Sequence, residues 1–211
     1  VNEPGCFAEY ICLPEAFCWQ LPVEISDDDA VTIEPMAVAY HSLFSSHAKV
    51  GDTMAIIGLG AIGLLLSHLA LSLGYKVLVT ELNMNKLKMA TDMGAIPAVV
   101  SGGSEDQVLQ LSRQWLDHDV SAIFECAGSA FTASLVTNAA PRGSDIVLVG
   151  LSAEDATFVP LKIAREGINI VPSIIYDHPF DYRRVIQLIK AGVIRPGLII
   201  SKKMPLDEIQ S

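Results

Sequence analysis

With 211 residues, 51% of them hydrophobic, the chain suits one large domain with attached pieces and is apolar enough to bury a core. Its formal charge of -10, with no Lys/Arg cluster, argues against nucleic acid or an anionic membrane surface, because an acidic field repels both. The expected partner is a small molecule.

The chain opens on Val1-Asn2-Glu3-Pro4, which has neither the basic nor the apolar part of a signal peptide, and the missing methionine reads as the start of a fragment. Residues 1–30 read as short strand-like pieces punctuated by Pro4, Gly5, Pro14 and Pro22, ending at an N-cap cluster, Ser26-Asp27-Asp28-Asp29. They resemble the trailing edge of another domain. Cys6, Cys12, Cys18 and Cys126 form no C-x-x-C pair and are expected to be buried, reduced thiols of a cytoplasmic protein.

Residues 53–75 carry no charged side chain, a length that could span a bilayer. The segment instead divides into a strand-like half and a helix-like half, with Ser67 and His68 midway, as expected of a buried parallel strand and a packed helix. Between the halves stands Gly58-Leu59-Gly60-Ala61-Ile62-Gly63. Gly58 would turn the chain off the strand, Gly60 would let a pyrophosphate approach bare backbone, and Gly63 would let helix and strand pack closely. The phosphates would sit at the helix N-terminus, where unpaired N–H groups and the macrodipole favour an anion.

Ile62, Leu65, Leu66, Leu69 and Leu73 recur at helical spacing up to Gly74, and Lys76 to Thr80 is a β-branched strand. Glu81 follows, 18 residues after Gly63, close to the offset at which a carboxylate accepts the hydroxyls of an adenosine ribose. Its charge favours NAD over NADP, whose 2′-phosphate would meet like charge. Lys86 reads equally well as a contact to the ribose or a phosphate edge and as a solvated helix lysine.

Further units follow: a helix from Asn83 to Met93, a capping box at Ser104-Glu105-Asp106-Gln107, a helix bearing Val108, Leu111 and Trp115, and a strand from Val120 to Cys126. After the turn Ala127-Gly128-Ser129 come another helix, a strand from Asp145 to Val149, and a late helix with the stripe Tyr182, Val185, Ile186 and Ile189. Alternating strands and helices predict an α/β fold with a doubly wound parallel sheet and a ligand crevice at the carboxyl ends of its strands. Three tips would face it: Ile57-Gly58, Cys126-Ala127-Gly128 and Val149-Gly150-Leu151. None of the five histidines calls for a catalytic role; His41, His47 and His68 fall on predicted helices, and His118 and His178 in polar turns.

The segments Gly5-Cys6-Phe7-Ala8-Glu9-Tyr10, Leu21-Pro22, Glu34-Pro35-Met36-Ala37-Val38-Ala39, the glycine fingerprint, Phe124-Glu125-Cys126-Ala127-Gly128, Val147-Leu148-Val149-Gly150-Leu151 and Met204-Pro205-Leu206-Asp207-Glu208-Ile209 resemble, in order, the medium-chain zinc-type dehydrogenases. Ala16-Phe17-Cys18-Trp19-Gln20-Leu21-Pro22 and Glu34-Pro35 are most similar to the polyol and sorbitol dehydrogenase branch, with butanediol and threonine dehydrogenases close behind.

The resemblance implies that residues 1–30 end a GroES-like catalytic domain, 31–195 form a Rossmann NAD-binding domain, and 196–211 return toward the catalytic part. It also implies hydride transfer from a secondary alcohol or polyol to NAD, with zinc as Lewis acid in the full-length enzyme. Nicotinamide would lie along Ala127, Val149, Gly150 and Leu151. The family's early zinc ligands, a cysteine and a His-Glu pair, have no counterpart here, and no side chain of the chain is assigned a catalytic role. Glu34 matches a position that supplies a later ligand or a carboxylate near the metal-bound water, and it reads equally as an acid against a helix dipole, with Pro35 at the first helical position.

Relatives are often dimers or tetramers joined through the last strands, here residues Ile168 to Tyr176, so a homodimer or homotetramer is expected. Two rivals stay open. A methyltransferase shares the glycine-rich first turn and the acid after the second strand, and a nucleotide-sensing protein could keep this fold without chemistry.

Overall fold

The computed structural model describes residues 7–209, so Val1 to Cys6, including the Gly5-Cys6 part of the first motif, lie outside the described residues. A six-stranded, wholly parallel sheet organises the chain, built from β1 (Thr53–Ile57), β2 (Lys76–Thr80), β3 (Ile96–Pro97), β4 (Val120–Glu125), β5 (Asp145–Leu148) and β6 (Asn169–Pro172). The order across the sheet is β3-β2-β1-β4-β5-β6, so the chain starts in the middle, winds to one edge and returns to wind to the other. That reversal between β1 and β4 is where a doubly wound sheet leaves a crevice.

Helices α1 (Asp27–Ala30), α2 (Ile33–Phe44), α3 (Ala61–Ser72), α4 (Met84–Asp92), α5 (Ser104–Asp117), α6 (Ala130–Ala139), α7 (Pro160–Glu166) and α8 (Phe180–Lys190) complete the regular helical elements. Alternate strand residues separate into two cores, as the two-residue period requires. Met54, Ile56, Val77, Val79, Phe124 and Val147 pack under α2, α3, α4 and α8, whereas Ala55, Ile57, Leu78, Ile123 and Ile146 pack under α5, α6 and α7. β1 is buried at all five positions. The uncharged run 53–75 is therefore a central strand and an enclosed helix, and among the described residues no helix is long and apolar enough to cross a membrane.

Several expectations change in detail. Residues 7–25 hold one 3₁₀ turn, Glu15–Phe17, and no strand, because a strand needs a partner ladder and none of the sheet reaches them. Cys12 and Cys18 are exposed there rather than buried. Ser26 does cap α1, accepting the Asp29 N–H. Ser104 is not a cap: α5 starts on it with Gly103 as N-cap, and the Gln107 N–H is spent on the Gly103 carbonyl. Pro35 is the third residue of α2 rather than the first, still within the turn whose N–H groups lack helical acceptors.

At the amino end of the sheet, far from the strand tips, Asp145 fastens the loop after α2. Its buried carboxylate accepts the His47 backbone N–H at 2.6 Å, His47 Nδ1 at 2.9 Å and the Asn169 side-chain amide at 2.8 Å. His47 thus lies beyond α2, not on it. Burial raises the Asp145 pKa, but the His47 and Asn169 hydrogen bonds and the His47 charge outweigh it and hold it below the usual carboxylate value. Stability from a depressed acid is present above its unfolded pKa of about 3.9 and is lost as pH falls through the folded value. Asp145→Ala is expected to cost about 2–3 kcal/mol at pH 7, with the gap to wild type narrowing below pH ~4, as read by urea unfolding at several pH values.

Candidate functional site

The register sets the crevice. Ile57 stands opposite Thr80 on one side and Glu125 on the other, Glu125 opposite Leu148, and Leu148 opposite Pro172. The residues that leave the strands, Gly58, Glu81, Cys126, Val149 and Ser173, therefore emerge at one level. The sequence identified three tips as walls; β6 adds another, through Ser173, whose N–H bonds the Leu148 carbonyl, and through exposed Ile175, at a φ of 55°.

The glycine turn is built as its spacing implied. Gly58 adopts a φ of 90°, costly for any side chain, and a Cβ there would lie 2.8 Å from the Ala127 backbone. A Cβ on Gly63 would lie 2.0 Å from the Gly58 carbonyl oxygen, so only glycine admits α3 this close to the turn. Gly60 differs: nothing lies within 4 Å of where its Cβ would be. It is the N-cap of α3 and offers no side-chain cap, whereas α1, α4 and α6 are capped by Ser26, Asn83 and Ser129. The first helical bond of α3 runs from the Leu64 N–H to the Gly60 carbonyl, which leaves the Ala61, Ile62 and Gly63 N–H groups ahead of the ladder. Leu59 is fully buried beneath the turn.

Glu81 closes onto this turn. One carboxylate oxygen accepts the Leu59 N–H at 2.6 Å, and the other accepts the Leu82 and Asn83 N–H groups at 2.8 and 2.9 Å. Burial would raise its pKa, but those three hydrogen bonds, with the positive charge of Lys86, bring it below the usual value. Glu81 is thus an oriented, ionised acceptor across the neutral pH range. Lys86 is exposed on α4, near enough for Glu81 to feel its charge.

The other tips meet through backbone. Ala127 is exposed above Gly58, and a Cβ on Gly150 would fall 2.3 Å from the Gly128 nitrogen. Val149 and Gly150 donate their N–H groups to the Glu125 carbonyl, and Leu151 leaves the tip 83% exposed. The Cys126 thiol is pushed well above its usual pKa by burial and then by the charge of Glu125, which makes it a poor nucleophile. A cleft of about 610 Å³ between α5 and α6, reaching Phe131, Asp155 and Thr157, includes none of these tip residues.

Glu34 lies apart from the glycine turn, exposed in the first turn of α2. It is close enough to Tyr182 of α8 for its charge to act, after burial and the Tyr176 hydroxyl, in raising that phenol's pKa. Among the described residues no three His, Cys, Asp or Glu side chains converge as a metal site, so this donor set does not hold zinc unaided. The histidines serve structure: His41 bonds Asp181 at 2.9 Å, His68 accepts the Arg195 N–H at 2.9 Å, His118 is the C-cap of α5, and His178 packs edge-on to Trp19 and Tyr182.

Residues 61–191 match the family model described as zinc-binding dehydrogenase. An uncharacterised zinc-type alcohol dehydrogenase-like protein of Escherichia coli K12 is 30% identical over 90% of this chain and 54% of its own length. The D-xylulose reductase of Scheffersomyces stipitis is 30% identical over 88% and 51%. Among solved structures, a zinc-binding dehydrogenase from Sinorhizobium meliloti bound to NADP superposes with a TM-score of 0.83 at 27% identity, covering all of this chain and 62% of that one. The chain spans about half the length of these curated relatives. With the family model covering more than half of the chain and the doubly wound sheet matching in three dimensions, this protein belongs to the zinc-binding dehydrogenase family.

Proposed function

We propose that this chain is the NAD-binding part of an oxidoreductase that moves hydride between NAD and a secondary alcohol or polyol. The observation that carries the reading is the uncapped N-terminus of α3, open at Gly60 and one strand away from the oriented carboxylate of Glu81. Residues Gly58, Leu59, Gly60, Ala61, Ile62 and Gly63 would form the pyrophosphate turn, with the N–H groups ahead of the α3 ladder as donors, while the Gly58 and Leu59 N–H groups are held by the Thr80 carbonyl and Glu81 and fix its shape. Glu81 would accept the adenosine ribose hydroxyls, with Lys86 at the edge of that subsite, and Ala127, Val149, Gly150 and Leu151 would hold the nicotinamide. Nicotinamide supplies the redox chemistry when bound; these residues supply its position.

The alcohol site and most of the metal site would lie beyond this chain, in a catalytic domain that residues 1–30 end and to which 196–211 return. The remaining residues, 31–195, would be the cofactor domain. Support comes from Phe7, Tyr10 and Phe17, which are 82%, 89% and 71% exposed in a segment with no sheet of its own. Glu34 would be this chain's contribution to the zinc environment. We read the protein as cytoplasmic and as a homodimer or homotetramer, since β6 ends the sheet with an uncovered edge.

In fluorescence titrations, NADH is expected to bind more tightly than NADPH, and S-adenosylmethionine not at all. Binding of S-adenosylmethionine alone would replace this reading with a methyltransferase. Glu81→Ala is expected to weaken NADH binding about ten- to hundredfold, the value of hydrogen bonds to a charged acceptor, and to narrow the preference over NADPH. Unchanged affinity, or tighter NADPH, would remove Glu81 from the ribose subsite. Metal analysis of the full-length protein is expected to give bound zinc, released faster to a chelator in Glu34→Ala; equal release rates would leave Glu34 as a helix-dipole acid.

A further inference from the structure

Glu125 ends a strand behind the apolar run Ala122-Ile123-Phe124 and is 1% exposed, an expensive place for a carboxylate unless donors surround it. Its Oε1 receives three: the Ala127 N–H at 3.0 Å, the Gly128 N–H at 3.0 Å and the Thr132 hydroxyl at 2.7 Å. Its backbone carbonyl receives two more, from Val149 and Gly150, at 3.0 and 2.8 Å. One residue thus joins the loop after β4, the first turn of α6 and the tip of β5.

What it joins has no slack. A Cβ on Gly150 would lie 2.3 Å from the Gly128 nitrogen and 2.8 Å from Glu125 Oε2, and one on Gly128 would lie 3.1 Å from the Leu151 backbone. Gly58, the first glycine of the fingerprint, rests so close to Ala127 that a Cβ there would lie 2.8 Å from the Ala127 backbone. The height of the Ala127-Gly128 loop therefore sets where the phosphate turn sits relative to the β5 tip. Capping of α6 does not require Glu125, because Ser129 already accepts the Thr132 N–H.

We propose that Glu125 is a positioning residue for the dinucleotide: it fixes the Ala127-Gly128 loop as the common floor under the glycine turn and the Val149-Gly150-Leu151 tip. The inference rests on the dinucleotide reading of the crevice. Glutamine retains an acceptor but loses the charge that roughly doubles hydrogen-bond strength, so Glu125→Gln loosens the loop without emptying the site. Thr132→Val removes one donor to the acid, together with the contacts of that hydroxyl to the Ser129 hydroxyl and carbonyl, and leaves the acid in place.

The test is NADH titration of full-length wild type, Glu125→Gln and Thr132→Val, with emission spectra of the bound cofactor and melting curves of each protein. Expected are a roughly tenfold weaker Kd for Glu125→Gln and about threefold for Thr132→Val, and an altered emission maximum of bound NADH, whether or not the melting temperature also falls, provided that each protein is folded at the temperature of titration. A merely structural role would lower the melting temperature and leave Kd and emission of the folded protein unchanged, and that result overturns the proposal. If Glu125→Gln does not fold, Thr132→Val decides by the same criteria. Wild type that binds no NADH would instead overturn the dinucleotide reading on which the proposal stands.

Discussion

Helix α3 reaches the crevice only because Gly63 carries hydrogen where any other residue carries carbon. A Cβ at that position would stand 2.0 Å from the Gly58 carbonyl oxygen, so every alternative lifts the helix from the strand or unwinds the turn. With the helix seated, its free N–H groups and its dipole point at one place above the middle of the sheet. β1 lies beneath, buried on both faces, and cannot move to compensate. The parallel register then delivers Glu81, Cys126, Val149 and Ser173 to the same level.

A second theme is the handling of acid. In a chain with a net charge of -10, carboxylates are buried at structural junctions, each accepting at least one backbone N–H together with side-chain donors. Glu125 collects the loop after β4, Asp145 collects the loop after α2, and Asp181 accepts the Asp177 N–H together with His41 and Arg184. Glu81 follows the same pattern at the glycine turn, with the difference that it remains partly open to solvent. Acceptors held by backbone donors keep a fixed direction, which suits recognition of a ligand's hydroxyl groups.

Much of the site was legible because its parts are local. The turn, the helix and the following strand occupy about 25 consecutive residues, where apolar periodicity and glycine spacing act over one or two turns of chain. Glu125 and the β6 tip were harder to see. A single acid after Val120-Ser121-Ala122-Ile123-Phe124 looks like a strand end, and nothing in its neighbours says that Thr132 and the β5 tip will converge on it. Residues 7–25 misled for a related reason: strand-like composition produces a strand only where a partner supplies the hydrogen bonds, and Cys12 and Cys18 are exposed as a result.

By itself, the sequence determined the α/β alternation, the glycine turn and the acid that follows the second strand, since each depends on backbone preference and residue spacing within one βαβ unit. Tertiary structure alone decided the order of the six strands, the common level of their tips, the openness at Gly60 against the closure at Gly58 and Gly63, and the convergence of donors on Glu125. Those depend on which distant segments share a hydrogen bond or a van der Waals boundary, a relation between chain positions that no local pattern carries.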